Sequence, residues 1–128
     1  IPEAEKLSGL KIETQSDMRR AAEAIHALGA RAVLVKGGHR SVNGVALDLL
    51  LSEGTFTEFR SEYLDVGEVH GSGCTLSAAI AACLGKGMSL EESVNSAKRY
   101  VTDAIDSSRG ARLESMASAE DVATSIRP

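Results

Sequence analysis

Cysteine is scarce in this chain: Cys74 and Cys83 are the two present in 128 residues, too few for a disulfide scaffold. Nine apart on one helical run, they fall on opposite faces, roughly 13 Å apart along it, and cannot pair with each other. No apolar run approaches the length of a membrane span, and nothing reads as a secretory leader. Basic charge is not in excess either. Fourteen Lys and Arg against 18 Asp and Glu give a net charge of −4, which argues against a broad nucleic-acid or anionic-membrane surface. Repeats, low-complexity tracts and internal linkers are absent from the sequence. So is an initiator methionine: the chain opens Ile1-Pro2-Glu3, already like a loop entering a helix, and the expectation is a piece of a longer protein. What remains reads as one domain, 1–128, with ordinary globular composition and enough length for a sizeable core. Two thiols without a disulfide framework fit a reducing, cytoplasmic setting.

The chain is organised around residues 69–83, Val-His-Gly-Ser-Gly-Cys-Thr-Leu-Ser-Ala-Ala-Ile-Ala-Ala-Cys. Gly71 and Gly73 bracket Ser72, and a strong helix-forming run follows at once. The reading is a tight glycine loop opening into a helix, with Cys74 and Thr75 in its first turn. Such a start presents unpaired N–H groups and the positive end of the helix dipole, suited to a phosphate or a developing oxyanion. It also activates a thiol, whereas a core thiol is inert, so Cys74 is a candidate base and Cys83 a core residue. The plainer reading of the same stretch is a helix start whose small residues allow close packing.

Elsewhere the elements follow from local signals. Pro2, Glu3 and Glu5 suit a helix start, and this helix stops near Ser8 and Gly9. Thr14 and Asp17 have capping-box spacing. The helix they open runs to about Leu28, with Met18, Ala21, Ala22, Ile25 and Leu28 on one face and Gly29 ending it. Residues 31–36 read as a buried strand and Gly37-Gly38 as a turn, making a parallel α/β unit the expectation. Asn43-Gly44 signals a hairpin. Residues 45–51 and 56–60 read as strands separated by Glu53-Gly54, with room for a bend or bulge because Phe56 and Phe59 do not alternate. The central helix ends at 85–87. Ser89 and Glu92 form a second capping box, opening a helix with Leu90, Val94, Ala97, Val101, Ala104 and Ile105 on its apolar face. Ser118 and Asp121 make a third candidate cap beyond Gly110.

Further candidates are weaker one by one. Lys36 ends an apolar strand, where the ligand crevice of an open α/β sheet lies, and a lysine there can meet a phosphate as a point charge. By itself it reads equally as a solvated strand end. Glu3 can help hold Mg²⁺ through water, since that ion is held by one or two carboxylates plus substrate phosphates, or it can simply serve the helix dipole. Lys98 reads as a solvated helix face. His39 and His70 neighbour glycine loops and receive no catalytic role; their spacing makes no zinc signature.

Three segments together carry a resemblance: Val35-Lys-Gly-Gly-His39, then His70-Gly-Ser-Gly-Cys-Thr-Leu-Ser-Ala-Ala-Ile80, then Ala97-Lys98 with Tyr100-Val101. They resemble the hydroxymethylpyrimidine phosphate kinases of thiamine biosynthesis, within the ribokinase-like superfamily. The opening Ile1-Pro-Glu-Ala-Glu5 looks like the segment that follows the asparagine of that family's Asn-x-x-Glu arrangement. The Gly-x-Gly-Cys-Thr loop is the specific part, because most ribokinase-like enzymes carry aspartate where Cys74 stands. Ser72 stands where threonine is usual and keeps the hydroxyl. The match runs from residue 1 to about 107, and the chain looks like the C-terminal, nucleotide-side half.

The resemblance implies a three-layer α/β fold with a central, mostly parallel sheet. It implies transfer of the ATP γ-phosphoryl group to the pyrimidine, at its hydroxymethyl group first and its monophosphate second. Carried over by position, Cys74 is the base and Gly71, Ser72 and Gly73 form the anion hole. Lys36 contacts ATP phosphates, Lys98 lies near the nucleotide, and Glu3 belongs to the Mg²⁺ site. A homodimer follows by analogy. A pyridoxal kinase is the nearest rival within the class, and a non-catalytic nucleotide- or pyrimidine-binding module is the rival outside it. Retention of Lys36, Cys74 and the glycine loop together argues against the module. Without the N-terminal half, a sheet edge and apolar surface are left uncovered.

Overall fold

The structure, a computed structural model, describes residues 1–42, 44–62 and 72–108. The chain divides into two compact units, Ile1–Tyr63 and Leu64–Pro128.

In the first unit, α1 (Pro2–Ser8) starts on a proline that has no N–H to leave unpaired. It ends at Gly9, whose φ of 71° returns its N–H to the Glu5 carbonyl. The Glu5 carboxylate then accepts the Ile12 N–H at 3.0 Å, fixing the path into the next helix. That helix, α2 (Gln15–Ala27), has the expected capping box. The Asp17 N–H donates to Thr14 Oγ1 at 3.1 Å, and Asp17 Oδ2 accepts from the N–H groups of Thr14 (2.9 Å) and Glu13 (3.1 Å). These backbone donors, Glu13 first, hold the Asp17 carboxyl below the usual aspartate range. Met18, Ala21 and Ala22 are buried as predicted. Leu28 is not: it lies past the last helical turn, 69% exposed.

Three strands follow: β1 (Ala32–Val42), β2 (Val45–Ser52) and β3 (Thr55–Glu62). They form an antiparallel meander in the order β1-β2-β3. Val33, Val35, Leu49 and Leu51 point to the α2 face and make one core with Ala4, Ile12, Met18, Ala21 and Ala22. Glu58 on β3 clamps α2 to the same face. Its carboxylate accepts from Arg60 (2.8 Å), Arg19 (3.0 Å) and the Gln15 amide. The Arg60 bond above all holds its carboxyl below the usual glutamate range. Arg19 also stacks over the Phe56 ring at 4.8 Å.

Three expectations are corrected here. The parallel unit, and with it a mostly parallel sheet, is not what the described residues contain. The strands are joined by hairpin turns, and so short a connection can only reverse the chain. Glu53 (φ 51°) and Gly54 (φ 76°) make the left-handed pair that such a turn requires. Gly37-Gly38 does not turn the chain. β1 runs through it to Val42, and the ladder instead loses register between Lys36 and Ser41. Phe56 and Phe59 need no bulge, because β3 keeps regular register from Val45↔Glu62 to Ser52↔Thr55 and sends the two rings to opposite faces.

The second unit pairs α3 (Ser72–Gly85) with α4 (Leu90–Ser108). Leu76, Ala79, Cys83 and Ala97 form their buried seam, flanked by Ile80, Met88, Tyr100 and Val101. α3 closes in a Schellman arrangement. Gly87 has φ 87°, and its N–H donates to Leu84 O (3.0 Å) while the Met88 N–H donates to Cys83 O (3.2 Å). The second predicted capping box is also present, with Glu92 N–H to Ser89 Oγ at 3.2 Å and Ser89 N–H to Glu92 Oε2 at 3.3 Å. Ser93 and Ser96 join the buried face of α4, which apolar spacing alone did not indicate. The third candidate cap, Ser118 with Asp121, and Gly110 lie outside the described residues.

Two tests follow. Thr14→Ala removes the hydroxyl of the α2 capping box and is expected to lower unfolding free energy by about 1 kcal/mol, read by urea denaturation. Asp17 and Glu58 both have folded pKa values below their unfolded ones, so their contribution is present above the ordinary carboxylate range and lost as pH falls through the folded values. Stability is therefore expected to hold from pH 7 to about pH 5 and to fall below it. Glu58→Gln should blunt that fall, and an unchanged acid limb would mean that the clamp carries no part of it.

Candidate functional site

The central helix begins two residues earlier than the sequence suggested. Ser72 opens α3, so Ser72 and Gly73 stand in the helical first turn with Cys74, not in a loop ahead of it. Gly71 and His70 lie outside the described residues. The backbone N–H groups of this first turn have no partners four residues back within the helix, and they carry the positive end of its dipole. The Gly73 carbonyl accepts the Ser77 hydroxyl at 3.1 Å, a back-bond that secures the turn.

Helical spacing separates the two thiols as expected. Leu76, Ala79 and Cys83 share the buried stripe, while Cys74 and Ala78 face outward. Cys74 is exposed and Cys83 is fully buried. Burial pushes the Cys83 thiol pKa up, against a weaker pull from Lys86, so Cys83 is a core residue without nucleophilic character.

Lys98 is half-buried on α4, next to the seam residue Ala97. A connection as short as residues 86–89 makes α3 and α4 antiparallel neighbours. At 1.5 Å per residue, Cys74 stands about 16 Å along α3 from Gly85 and Lys98 about 12 Å along α4 from Leu90. The two therefore sit at comparable heights on the hairpin.

Lys36 and Glu3 belong to the first unit. Lys36 is half-buried at the last regular rung of β1. The Ile1 nitrogen donates to the Lys36 carbonyl at 3.3 Å, which brings the start of α1 beside this point of the strand. Glu3, in the first turn of α1, extends a carboxylate that is 89% exposed. Among the described residues no group of three or more His, Cys, Asp or Glu side chains is placed to hold a metal ion. One exposed carboxylate does fit a Mg²⁺ whose remaining ligands are water and substrate phosphate. His39 lies on β1 and not on a loop.

Two features escaped the sequence reading. A cavity of about 350 Å³ opens on the α2 side of the sheet, walled by Ile12, Met18, Val45 and Leu47, with Gly37 and Arg60 at its lining. No local pattern marks it, because its walls come from four elements. Asp48 is the other: a buried carboxylate whose Oδ1 accepts the Gly37 N–H at 2.9 Å. Its signal was visible, an acidic residue inside the apolar strand 45–51.

Among the described residues no helix is long and apolar enough to cross a membrane. Residues 1–118 match the family described as phosphomethylpyrimidine kinase. Over 105 residues the chain is 46% identical to a thiamine biosynthesis bifunctional protein of Geobacter sulfurreducens, covering 82% of this chain and 21% of that protein. It is 43% identical over 105 residues to a hydroxymethylpyrimidine/phosphomethylpyrimidine kinase of Streptomyces coelicolor, covering 38% of that protein. Among solved structures, the ADP complex of Bacillus subtilis pyridoxal kinase superposes with a TM-score of 0.74 at 42% identity. That match covers 80% of this chain and 40% of the other. The chain thus spans well under half the length of these relatives.

The contrast between the thiols is directly measurable. Alkylation of the native chain is expected to give a single adduct, at Cys74, with Cys83 reacting only in denaturant. Rapid double modification under native conditions, seen by mass spectrometry, would show that the α3–α4 seam does not close over Cys83.

Proposed function

The chain belongs to the phosphomethylpyrimidine kinase family, and on that premise we propose that it is the nucleotide-side portion of a phosphotransferase. The reaction is transfer of the ATP γ-phosphoryl group to 4-amino-5-hydroxymethyl-2-methylpyrimidine and then to its monophosphate. The observation that carries the reading is an exposed cysteine in the first turn of α3 in a chain of this family. Residues 1–128 form one part of a three-layer ribokinase-like domain. Strands from the rest of the protein add in parallel beyond β1, which has a neighbour on one side only among the described residues. The whole is cytoplasmic and dimeric by family analogy.

Phosphoryl transfer asks for positioning and charge stabilisation more than for covalent chemistry. Cys74 takes the proton of the attacking hydroxyl. The N–H groups of Ser72, Gly73 and Cys74, in the first turn of α3, hold the transferring oxygens by donors already fixed in the helix, so little reorganisation is needed as charge develops; Gly71 completes the anion hole as the family resemblance implies. Lys36 meets ATP phosphates as a point charge, and Lys98 lines the nucleotide. Glu3 would hold Mg²⁺ through water, and the ion, when bound, neutralises phosphate charge. In the second phosphorylation the acceptor oxygen is already anionic, so a base at Cys74 matters less.

A second reading is favoured by one specific observation. The pyridoxal kinase of Bacillus subtilis is as similar over the same share of the chain as the pyrimidine kinases are. The ring-binding residues that separate the two substrates come from outside this segment.

Two assays on the full-length protein decide. Substrate-dependent ADP formation is expected with the hydroxymethylpyrimidine; ADP formation with pyridoxal alone would move the assignment to the second reading. Nucleotide binding without turnover on either ring would identify a non-catalytic module. Cys74→Ala should slow the first phosphorylation by about 10²–10⁴-fold, the usual worth of a general base, and the second much less. Equal slowing of both steps would remove the base role from Cys74.

A further inference from the structure

The buried aspartate in β2 calls for a reason. Asp48 is 7% exposed, with Leu47, Leu49, Leu50 and Leu51 as its strand neighbours. An apolar residue would fill that rung without the cost of removing a carboxylate from water. What Asp48 does instead is specific. Its Oδ1 accepts the backbone N–H of Gly37 at 2.9 Å, in a buried bond.

Gly37 stands where the ladder breaks. Lys36↔Asp48 is the last regular rung of the β1–β2 pair, and the next is Ser41↔Ala46. Five steps along β1 therefore meet two along β2. At this break the main chain of Gly37 lies hard against β2. A Cβ on Gly37 would fall 2.0 Å from the Leu47 carbonyl oxygen and 3.0 Å from its carbon. The break takes the Gly37 N–H out of the regular ladder, and the Asp48 carboxylate receives it. The same aspartate is the cross-strand partner of Lys36, so their side chains leave the sheet on one face.

We propose that Asp48 is a positioning residue for Lys36. By anchoring the N–H of the next residue, it fixes the peptide on the C-terminal side of Lys36 and so the direction in which that side chain leaves the strand. A lysine is a long, flexible stem with a compact charge. Its ammonium reaches a phosphate reproducibly only when the backbone beneath it is held. The proposal rests on the reading of Lys36 as a phosphate contact, and it extends that reading to a residue that touches no substrate.

The test uses the full-length protein with Lys36→Ala, Asp48→Val, Asp48→Ala, Asp48→Asn and the double variant Lys36→Ala/Asp48→Val. Valine suits a buried strand and removes the acceptor, whereas asparagine keeps an oxygen for the Gly37 N–H. Asp48→Val is expected to raise the KM for Mg·ATP by about tenfold while the KM for the acceptor moves by less than about twofold. Asp48→Asn should restore the ATP KM to within about threefold of the parent. In the Lys36→Ala background, Asp48→Val should add nothing further. Additive losses, or losses that fall on kcat and the acceptor KM, would overturn the proposal. So would failure of both Asp48→Val and Asp48→Ala to fold while Asp48→Asn folds, since the bond would then serve the fold alone. If Lys36→Ala weakens ATP and Asp48→Val does not, this proposal falls and the role of Lys36 stands. If Lys36→Ala leaves the ATP KM unchanged, the phosphate role falls and takes this one with it.

Discussion

The register of β2 is the constraint on which the first unit depends. Leu49 and Leu51 lie in the core against α2, and Leu50, on the opposite face, is just as buried. A strand with apolar side chains on both faces loses little hydrophobic energy in a one-residue slip, because leucine replaces leucine. Asp48 breaks that degeneracy. In the observed register it takes the Gly37 N–H; slipped by one, it would enter the α2 core without a partner. One costly polar group thus selects among pairings that the leucines alone leave nearly equal, and the selected pairing sets Lys36 at the last regular rung.

The second unit solves a different problem, that of presenting a helix start without losing the helix. α3 is rich in alanine and has little polar face of its own, so its orientation comes from the seam with α4. The Schellman closure at Gly87 tucks Met88 into that seam, and the Ser89–Glu92 box starts α4 at once. With both ends of the connection hydrogen-bonded, the far end of α3 inherits a fixed direction. The first turn that carries Ser72, Gly73 and Cys74 is therefore held both by its own neighbour Leu76 in the seam and by the closure at the opposite end of the helix.

Much of this was legible locally. Thr14 with Asp17, Ser89 with Glu92 and Glu53-Gly54 each carry their own geometry in two to four residues, and each was found where expected. Gly37-Gly38 misled because a glycine pair reads as a turn, whereas the glycine here answers to a neighbouring strand that forces the backbones together. That requirement is long-range and leaves no local signature. The mostly parallel sheet came from resemblance to whole enzymes, while these residues supply only the antiparallel meander. Leu28 fitted the helical period but fell one residue past the last turn. Of the candidate site, spacing put Cys74 and Cys83 on opposite faces, and the helix-start position of one and the usual burial of the other said which was which. The roles of Lys36, Lys98 and Glu3 came from resemblance, since a charged side chain at an element end is also what ordinary solvation produces.

The two cysteines show why residue type is a poor guide to chemistry and position a better one. They share a helix, differ by nine residues, and have opposite environments. At Cys83 desolvation penalises the thiolate, and closure of the seam keeps reagents out. At Cys74 the side chain is open, and the helix dipole favours negative charge on any phosphate oxygen alongside it. That coincidence has a mechanistic consequence. On the proposed reading, the N–H groups of this first turn serve the base and the transferring phosphoryl group together, one fixed set of donors for both.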